Sequence, residues 1–111
     1  MNVNLQLVVL HMNYDNGFYR CLLDDNKIIS ITLTNPDIIM ELKKMMIDYL
    51  DINPEWVSFS LVDVEGGDNI TITYTCMIPS ILENFKGEWM DIGEINGINR
   101  TLVLKASQKI I

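Results

Sequence analysis

The fold is decided by residues 34–56, TNPDIIMELKKMMIDYLDINPEW, which carry the clearest helix pattern in the chain. Thr34 or Asn35 can cap the start of a helix, because their side-chain oxygens accept from the free N–H groups of its first turn. Pro36 fits the first helical position, where no N–H is needed. A helix cannot continue into the second proline of the stretch. We therefore expect one helix over about residues 36–50.

The predicted helix is amphipathic. Its apolar stripe consists of residues spaced three and four apart, namely Ile38, Leu42, Met45 and Tyr49, with Ile39, Met46 and Leu50 beside them. The charged residues lie away from that stripe and are Glu41, Lys43, Lys44 and Asp48.

On both sides of the helix, apolar runs and the alternation of apolar with polar residues predict strands. The predicted strands before the helix are Leu5–Met12, Phe18–Leu23 and Ile28–Leu33. Those after it are Trp56–Val64, Ile70–Ile78 and a short element at Glu88–Ile92. In the first of these, Val57, Phe59 and Leu61 alternate with Ser58, Ser60 and Val62.

The end of the chain predicts a second helix over about residues 98–110. Its apolar residues are spaced by four, at Ile98, Leu102, Ala106 and Ile110. The run Thr101–Leu104 leaves a strand as the alternative. The predicted order is three strands, a helix, two strands, a short strand and a helix. This order predicts an α+β fold rather than a doubly wound sheet.

The length of 111 residues fits a single domain, residues 1–111, since domains usually run to about 100–200 residues. Hydrophobic residues make up 49% and charged residues 21%, the composition of a folded globular protein rather than a disordered chain. The 15 acidic and 8 basic residues give a net charge of −7. This charge argues against binding to a nucleic-acid backbone or to an anionic membrane.

Cys21 and Cys76 have no Cys-x-x-Cys motif or Cys/His cluster around them. We interpret them as two buried thiols of a cytoplasmic protein, with a single disulfide as the alternative. The apolar run near the N-terminus is too short for a signal sequence or a membrane span. The high content of Ile and Asn is typical of an AT-rich genome, so we expect a phage or bacterial source.

The order of these elements resembles the Nudix fold. In that family, strands lead into a helix that carries the motif GX5EX7REUXEEXGU, where U is a large aliphatic residue. A hairpin, a segment with a tryptophan and a terminal helix follow. Here the helix, the hairpin after it and Trp89 stand in that order. The resemblance covers most of the chain and implies a mixed β-sheet flanked by helices.

Placing the last aliphatic position of the motif on Ile52 shows which motif residues this chain has. The inner aliphatic position falls on Met46, the arginine on Lys44 and one acidic position on Asp48. The other glycine and glutamate positions fall on residues of another type, which are Ser30, Pro36, Met45, Tyr49 and Asp51. The family binds Mg²⁺ with glutamates on one face of this helix. The resemblance thus implies a degenerate motif, and we lean against an enzyme.

Two functions follow from the resemblance. The first is a non-catalytic, Nudix-like accessory domain without a cofactor, which binds a protein partner, a second copy of itself or a nucleotide-type ligand. The alternative is a divergent Mg²⁺-dependent pyrophosphohydrolase of nucleoside diphosphate compounds. Its candidate catalytic residues are Glu41, Lys44, Asp48 and Glu88, and its candidate metal ligands are Glu41 and Asp48, joined by a carboxylate from residues 83–94. The hydrolase requires these carboxylates to converge.

Three other groups of residues are weaker candidates. His11, the only histidine, is expected to be structural. The acidic hairpin tip lacks the spacing of a Ca²⁺ loop and is expected to be solvated; it consists of Asp63, Glu65 and Asp68. A second acidic stretch consists of Glu83, Glu88, Asp91 and Glu94. The resemblance places this stretch beside the substrate cleft, and we expect a charged surface with Trp89 plugging the core.

Overall fold

The computed structural model describes residues 2–13, 17–78 and 85–109. Within these residues the chain forms six strands, β1 (Val3–Asn13), β2 (Phe18–Asp24), β3 (Lys27–Thr32), β4 (Ser60–Glu65), β5 (Ile70–Met77) and β6 (Glu88–Asp91). The two α-helices are α1 (Ile38–Leu50) and α2 (Gly97–Lys109). Single 3₁₀ turns lie at Pro54–Trp56 and Ile92–Glu94.

The strands form one mixed sheet in the order β4-β5-β1-β3-β2-β6. Strand β1 is central: it runs parallel to β5, and antiparallel to β3 along its first half and to β2 at its end. Strands β2 and β3 are joined by a two-residue turn in which Asp25 and Asn26 both have positive φ, at 52° and 60°. That is the turn geometry favoured by the twist of a hairpin.

The two helices cover opposite faces of the sheet, as the side chains of β1 show. Leu5, Leu7 and Val9 belong to the core that contains Leu42, Met45, Met46 and Leu50 of α1. Val8 and Leu10 belong to the core that contains Val103 and Ala106 of α2. A strand segment buried on both faces is an apolar run without alternation, which explains the run Leu7–Leu10 of β1. The predicted α+β architecture is therefore confirmed.

Helix α1 begins later than predicted and has a different cap. Asp37 caps it, because its Oδ1 accepts from the N–H of Met40 at 3.1 Å. The prediction of Thr34 or Asn35 was wrong. Asn35 instead accepts from the N–H of Asp37 at 2.9 Å, which orients the true cap.

The polar side of α1 also differs from the prediction. Glu41 was predicted to lie away from the apolar stripe but is only 8% exposed, whereas Ile39, predicted beside the stripe, is exposed. Glu41 precedes Met45 by four residues and therefore shares its face of the helix. Its Oε1 lies 3.7 Å from Nζ of Lys44, and this ion pair compensates for part of the burial of the carboxylate.

Strand β4 begins at Ser60, not at the predicted Trp56: a 3₁₀ turn occupies Pro54–Trp56, and residues 57–59 belong to neither a helix nor a strand. The predicted alternation is kept by Phe59, which packs on the α1 side, and Val62, which packs on the α2 side, although Leu61 is 48% exposed. A register shift between Leu61 and Asp63 then breaks it, so that Asp63 also lies on the α2 side, within 3.9 Å of Lys105.

Helix α2 confirms the predicted C-terminal helix and excludes the strand alternative. The buried face is rotated from the predicted one: Val103, Ala106 and Ser107 are buried, and Ile98 is 80% exposed. The predicted contribution of Ile110 falls outside the described residues. Neither described helix is long and apolar enough to cross a membrane.

Cys21 and Cys76 are free and buried, as predicted. Cys21 lies in the core on the α2 side and Cys76 in the core on the α1 side, so the sheet separates them and the disulfide alternative is excluded. Burial raises the pKa of Cys21 to about 12 and raises the pKa of Cys76 as well. Both therefore remain thiols at neutral pH.

The entry into β6 depends on a glycine. Gly87 has a φ of 93°, and a Cβ at this position would overlap the carbonyl oxygen of Leu23. We expect Gly87→Ala to lower the free energy of unfolding by about 2–4 kcal/mol, since it combines a left-handed backbone with steric overlap. Chemical denaturation measures the change.

Gly93→Ala is the matched control, because a Cβ there meets nothing within 4 Å. It should change the stability by about 0.5 kcal/mol or less. Equal effects of the two substitutions would contradict the proposed close approach of Gly87 to β2.

Candidate binding cleft

Four polar or aromatic side chains meet on the α1 face of the sheet, beyond the part that α1 covers. His11 of β1 lies opposite Arg20 of β2, and Arg20 lies opposite Asp91 of β6. Directly opposed residues of antiparallel strands point to the same face. Leu22, two residues after Arg20, belongs to the α1-side core and lies opposite Trp89. The register therefore brings these four residues to one face, although they come from three strands.

The contacts within this group are specific. Arg20 Nε donates to Asp91 Oδ1 at 3.3 Å, in a pair that is partly open to solvent. The rings of His11 and Trp89 meet edge to face, with centroids 6.1 Å apart. Phe85 makes a similar contact with Trp89 at 6.2 Å. We call these five residues the cleft cluster.

Two polar atoms of the cleft cluster are buried without a hydrogen-bond partner in the described part of the chain. They are Nδ1 of His11 and Nε1 of Trp89. Leaving a buried polar group unpaired costs about 1–3 kcal/mol. The indole Nε1 is a donor only, so the partner that it lacks is an acceptor. A bound molecule with an acceptor group would satisfy it.

The charge state of His11 follows from the same surroundings. Burial, and then the positive charge of Arg20, lower the pKa of His11 from its ordinary value of 6.5. The imidazole is therefore neutral at pH 7 and offers one donor and one acceptor. The cluster thus combines a guanidinium, a neutral imidazole, an indole donor and an aromatic surface.

The motif positions of α1 have other partners. Met45 is 2% exposed and lies in the core. The hydroxyl of Tyr49 donates to Asp24 Oδ2 at 2.9 Å. Asp51, at the last glycine position of the motif, has a φ of 48°, the left-handed conformation that a glycine would favour. Asp48 is exposed.

The remaining candidate carboxylates are scattered. Glu88 is exposed at the start of β6, Asp91 pairs with Arg20, and Glu94 is exposed in a 3₁₀ turn. Glu83 lies outside the described residues. In the hairpin tip, Asp63 is near Lys105, while Glu65 and Asp68 are exposed.

A Mg²⁺ ion needs several oxygen ligands at one point. In residues 2–13, 17–78 and 85–109, no three His, Cys, Asp or Glu side chains are grouped so that they could hold a metal ion. The thioether of Met45, buried in the core, and the engaged hydroxyl of Tyr49 do not fit Mg²⁺ either. The described side chains at these positions therefore do not fit a Mg²⁺ ion.

Comparison with solved structures identifies the fold. The chain is similar to the NUDIX domain of Shewanella oneidensis NrtR complexed with ADP ribose, with 9% identity, a TM-score of 0.68, and coverage of 98% of this chain and 88% of that one. It is also similar to a C. elegans Ap4A hydrolase binary complex, with 10% identity, a TM-score of 0.64, and coverage of 99% and 98%.

A third similar structure is the C-terminal domain of mouse MUTYH in complex with human PCNA, with 10% identity, a TM-score of 0.68, and coverage of 99% and 89%. At such identities the likeness shows the fold, and this chain has the Nudix fold. No protein-family profile matches the chain. No curated protein matches it by sequence.

The sequence predicted Trp89 as a plug of the core and Asp91 as part of a charged surface, and it missed Arg20 and the place of His11 beside Trp89. The sequence did contain an indication: His11 continues the period-two series of Leu5, Leu7 and Val9, which all face the α1-side core. A polar residue that extends a buried series marks the point where a face leaves the core. The neighbours that it meets there depend on strand pairing, which the series does not reveal.

We expect the single histidine to titrate with a midpoint below 6.5, measured by NMR from its Cε1–H resonance. Arg20→Gln should raise the midpoint, because it removes a positive charge beside the imidazole. The folded chain binds this proton more weakly than the unfolded chain does. The neutral imidazole of His11 therefore adds to the free energy of unfolding above pH 6.5, and this contribution is lost as the pH falls. Arg100→Gln, on α2, is the control. An unchanged midpoint in Arg20→Gln would contradict the proximity of the two residues.

Proposed function

We propose that this chain is a non-catalytic, Nudix-like accessory domain of phage or bacterial type that binds a nucleotide-type ligand at the cleft cluster. The observation that carries the proposal is the pair of unpartnered buried atoms, Nδ1 of His11 and Nε1 of Trp89, beside the guanidinium of Arg20. A nucleotide offers acceptor oxygens to the indole, negative charge to the guanidinium, and a base that can pack on aromatic rings.

The degenerate motif of α1 supports binding without hydrolysis. Met45 and Tyr49 stand where the family motif has glutamates, and both side chains are already engaged within the fold. Glu41 is only 8% exposed and pairs with Lys44, while Asp48 is exposed. Pyrophosphate cleavage in this family depends on carboxylates that hold Mg²⁺. A domain without them would retain the ligand instead of cleaving it.

The overall charge of −7 makes a local cation necessary for any anionic ligand. Arg20 supplies it in the cleft cluster, and its ion pair with Asp91 is partly open to solvent. Exposed ion pairs contribute about 0–1 kcal/mol, so a phosphate can compete for the guanidinium. The NrtR domain, whose structure contains ADP ribose, makes this compound the natural probe.

Two alternatives remain proposals beside this one. The complex of the MUTYH domain with PCNA supports a protein partner for the same scaffold. The similarity to an Ap4A hydrolase supports a divergent hydrolase, in which Glu41, Lys44, Asp48 and Glu88 would act and Glu41 and Asp48 would hold Mg²⁺. The experiment below separates these alternatives from the ligand-binding domain.

We expect calorimetric titration with ADP-ribose to show a 1:1 complex. Arg20→Gln should weaken it about 10- to 100-fold, since a hydrogen bond to a charged group contributes about 1.5–3 kcal/mol. Trp89→Phe should weaken it about 5- to 10-fold through loss of the indole donor. Arg100→Gln and Trp56→Phe are the matched controls and should leave the affinity unchanged.

The same protein, incubated with Mg²⁺ or Mn²⁺ and a panel of nucleoside diphosphate compounds, should release no product. Turnover at ordinary enzyme rates, about 1 s⁻¹ or faster, that Glu41→Gln and Asp48→Asn abolish would establish the hydrolase instead. Absence of both binding and turnover would leave the protein-partner alternative.

A further inference from the structure

The C-terminal end of α1 meets two other parts of the chain at one junction. The hydroxyl of Tyr49 donates to Asp24 Oδ2 at 2.9 Å, which ties the helix to the end of β2. The carbonyl oxygen of Tyr49 accepts from the N–H of Lys86 at 2.8 Å, which ties the helix to the segment before β6. Gly87 then lies against the backbone of Leu23, the neighbour of Asp24. One tyrosine thus contacts both segments that enter the junction.

The junction lies directly beside the cleft cluster. Phe85 precedes Lys86 in the chain, and Trp89 follows it by three residues. The strand pairing continues from Leu23 opposite Glu88 to Leu22 opposite Trp89. A shift of Lys86 relative to α1 would therefore move both Phe85 and Trp89, whose rings meet at 6.2 Å.

We propose that Tyr49 is a positioning residue, whose bonds to Asp24 and Lys86 hold Phe85 and Trp89 in the arrangement that the cleft requires. The effect on ligand affinity rests on the proposed function of the cleft. The effect on the position of Trp89 does not. Tyr49, which aligns with a glutamate of the Nudix motif, would then serve the site by positioning Phe85 and Trp89 instead of binding a metal.

The hydroxyl of Tyr49 is suited to this task at neutral pH. Burial, then the hydrogen bond and the negative charge of Asp24, and also the charge of Asp48, raise the pKa of Tyr49. The hydroxyl therefore stays protonated and remains a donor to the carboxylate throughout the physiological range. Tyr49→Phe removes this donor while it keeps the packed ring and the backbone carbonyl.

The chain has two tryptophans, so a Trp56→Phe background leaves Trp89 as the single fluorescent indole. In this background we compare Tyr49→Phe and Asp24→Asn with the parent, using the emission maximum and acrylamide quenching of Trp89. Tyr49→Phe should shift the emission to longer wavelength, raise the quenching constant about 2-fold and weaken ADP-ribose binding about 3- to 10-fold. Asp24→Asn replaces the charged acceptor by an amide oxygen, so it weakens the hydrogen bond and should give smaller changes in the same direction.

The controls are Tyr74→Phe and Asp25→Asn. Tyr74 packs on the same core, and its hydroxyl has no hydrogen-bond partner in the described part of the chain. Asp25 is the exposed neighbour of Asp24 in the same turn, at a φ that asparagine tolerates. Both controls should leave the emission and quenching of Trp89 as in the parent. The affinity for ADP-ribose should also be unchanged.

The outcomes separate the two proposals. Tyr49→Phe and Asp24→Asn that lower the melting temperature but leave the Trp89 emission and quenching at control values would overturn the positioning role. A parent that does not bind ADP-ribose would overturn the proposed ligand, while the emission and quenching of Trp89 would still decide the role of Tyr49. Changed emission and quenching with unchanged affinity would overturn the link between the junction and the cleft.

Discussion

The rest of the structure depends on β1 being buried on both faces. Leu5, Leu7 and Val9 pack under α1, and Val8 and Leu10 pack under α2. The hydrophobic effect scales with the apolar area removed from water, so a strand covered twice is the most favourable centre for this sheet. The sequence of β1 also shows where helix α1 stops covering the sheet. Val9 is the last residue of β1 in the α1-side core, and the next side chain on that face is His11.

The cleft cluster arises at this boundary, where the sheet extends past the helix. Strands β2 and β6 add Arg20, Trp89 and Asp91 to the face that His11 begins. Polar groups there are partly withdrawn from water but are not all paired within the described chain. Such groups are a property of binding sites, because a core selects against unpaired polar atoms and an open surface solvates them.

In helix α1, the residues that the proposed alignment places at the Nudix motif positions serve the fold. Asp51 adopts the left-handed conformation at the last glycine position, Met45 fills the core and Tyr49 joins three segments. Packing positions depend on helical period, which any apolar residue satisfies. Metal binding depends on a particular oxygen ligand at each position, so it can be lost while the helix and its packing remain.

The sequence by itself determined the elements, because periodicity and turn chemistry are local properties. It predicted both helices, the hairpin that joins β4 and β5, and the buried thiols. It misjudged the cap at Asp37 and the burial of Glu41, where neighbouring residues compete on small energy differences. Only the tertiary structure decided the cleft cluster and the junction at Tyr49. His11 and Arg20 meet across the hairpin of β1 and β2, but Asp91 lies 71 residues beyond Arg20 and joins them because β2 also pairs with β6. That pairing is a long-range choice that no local pattern encodes.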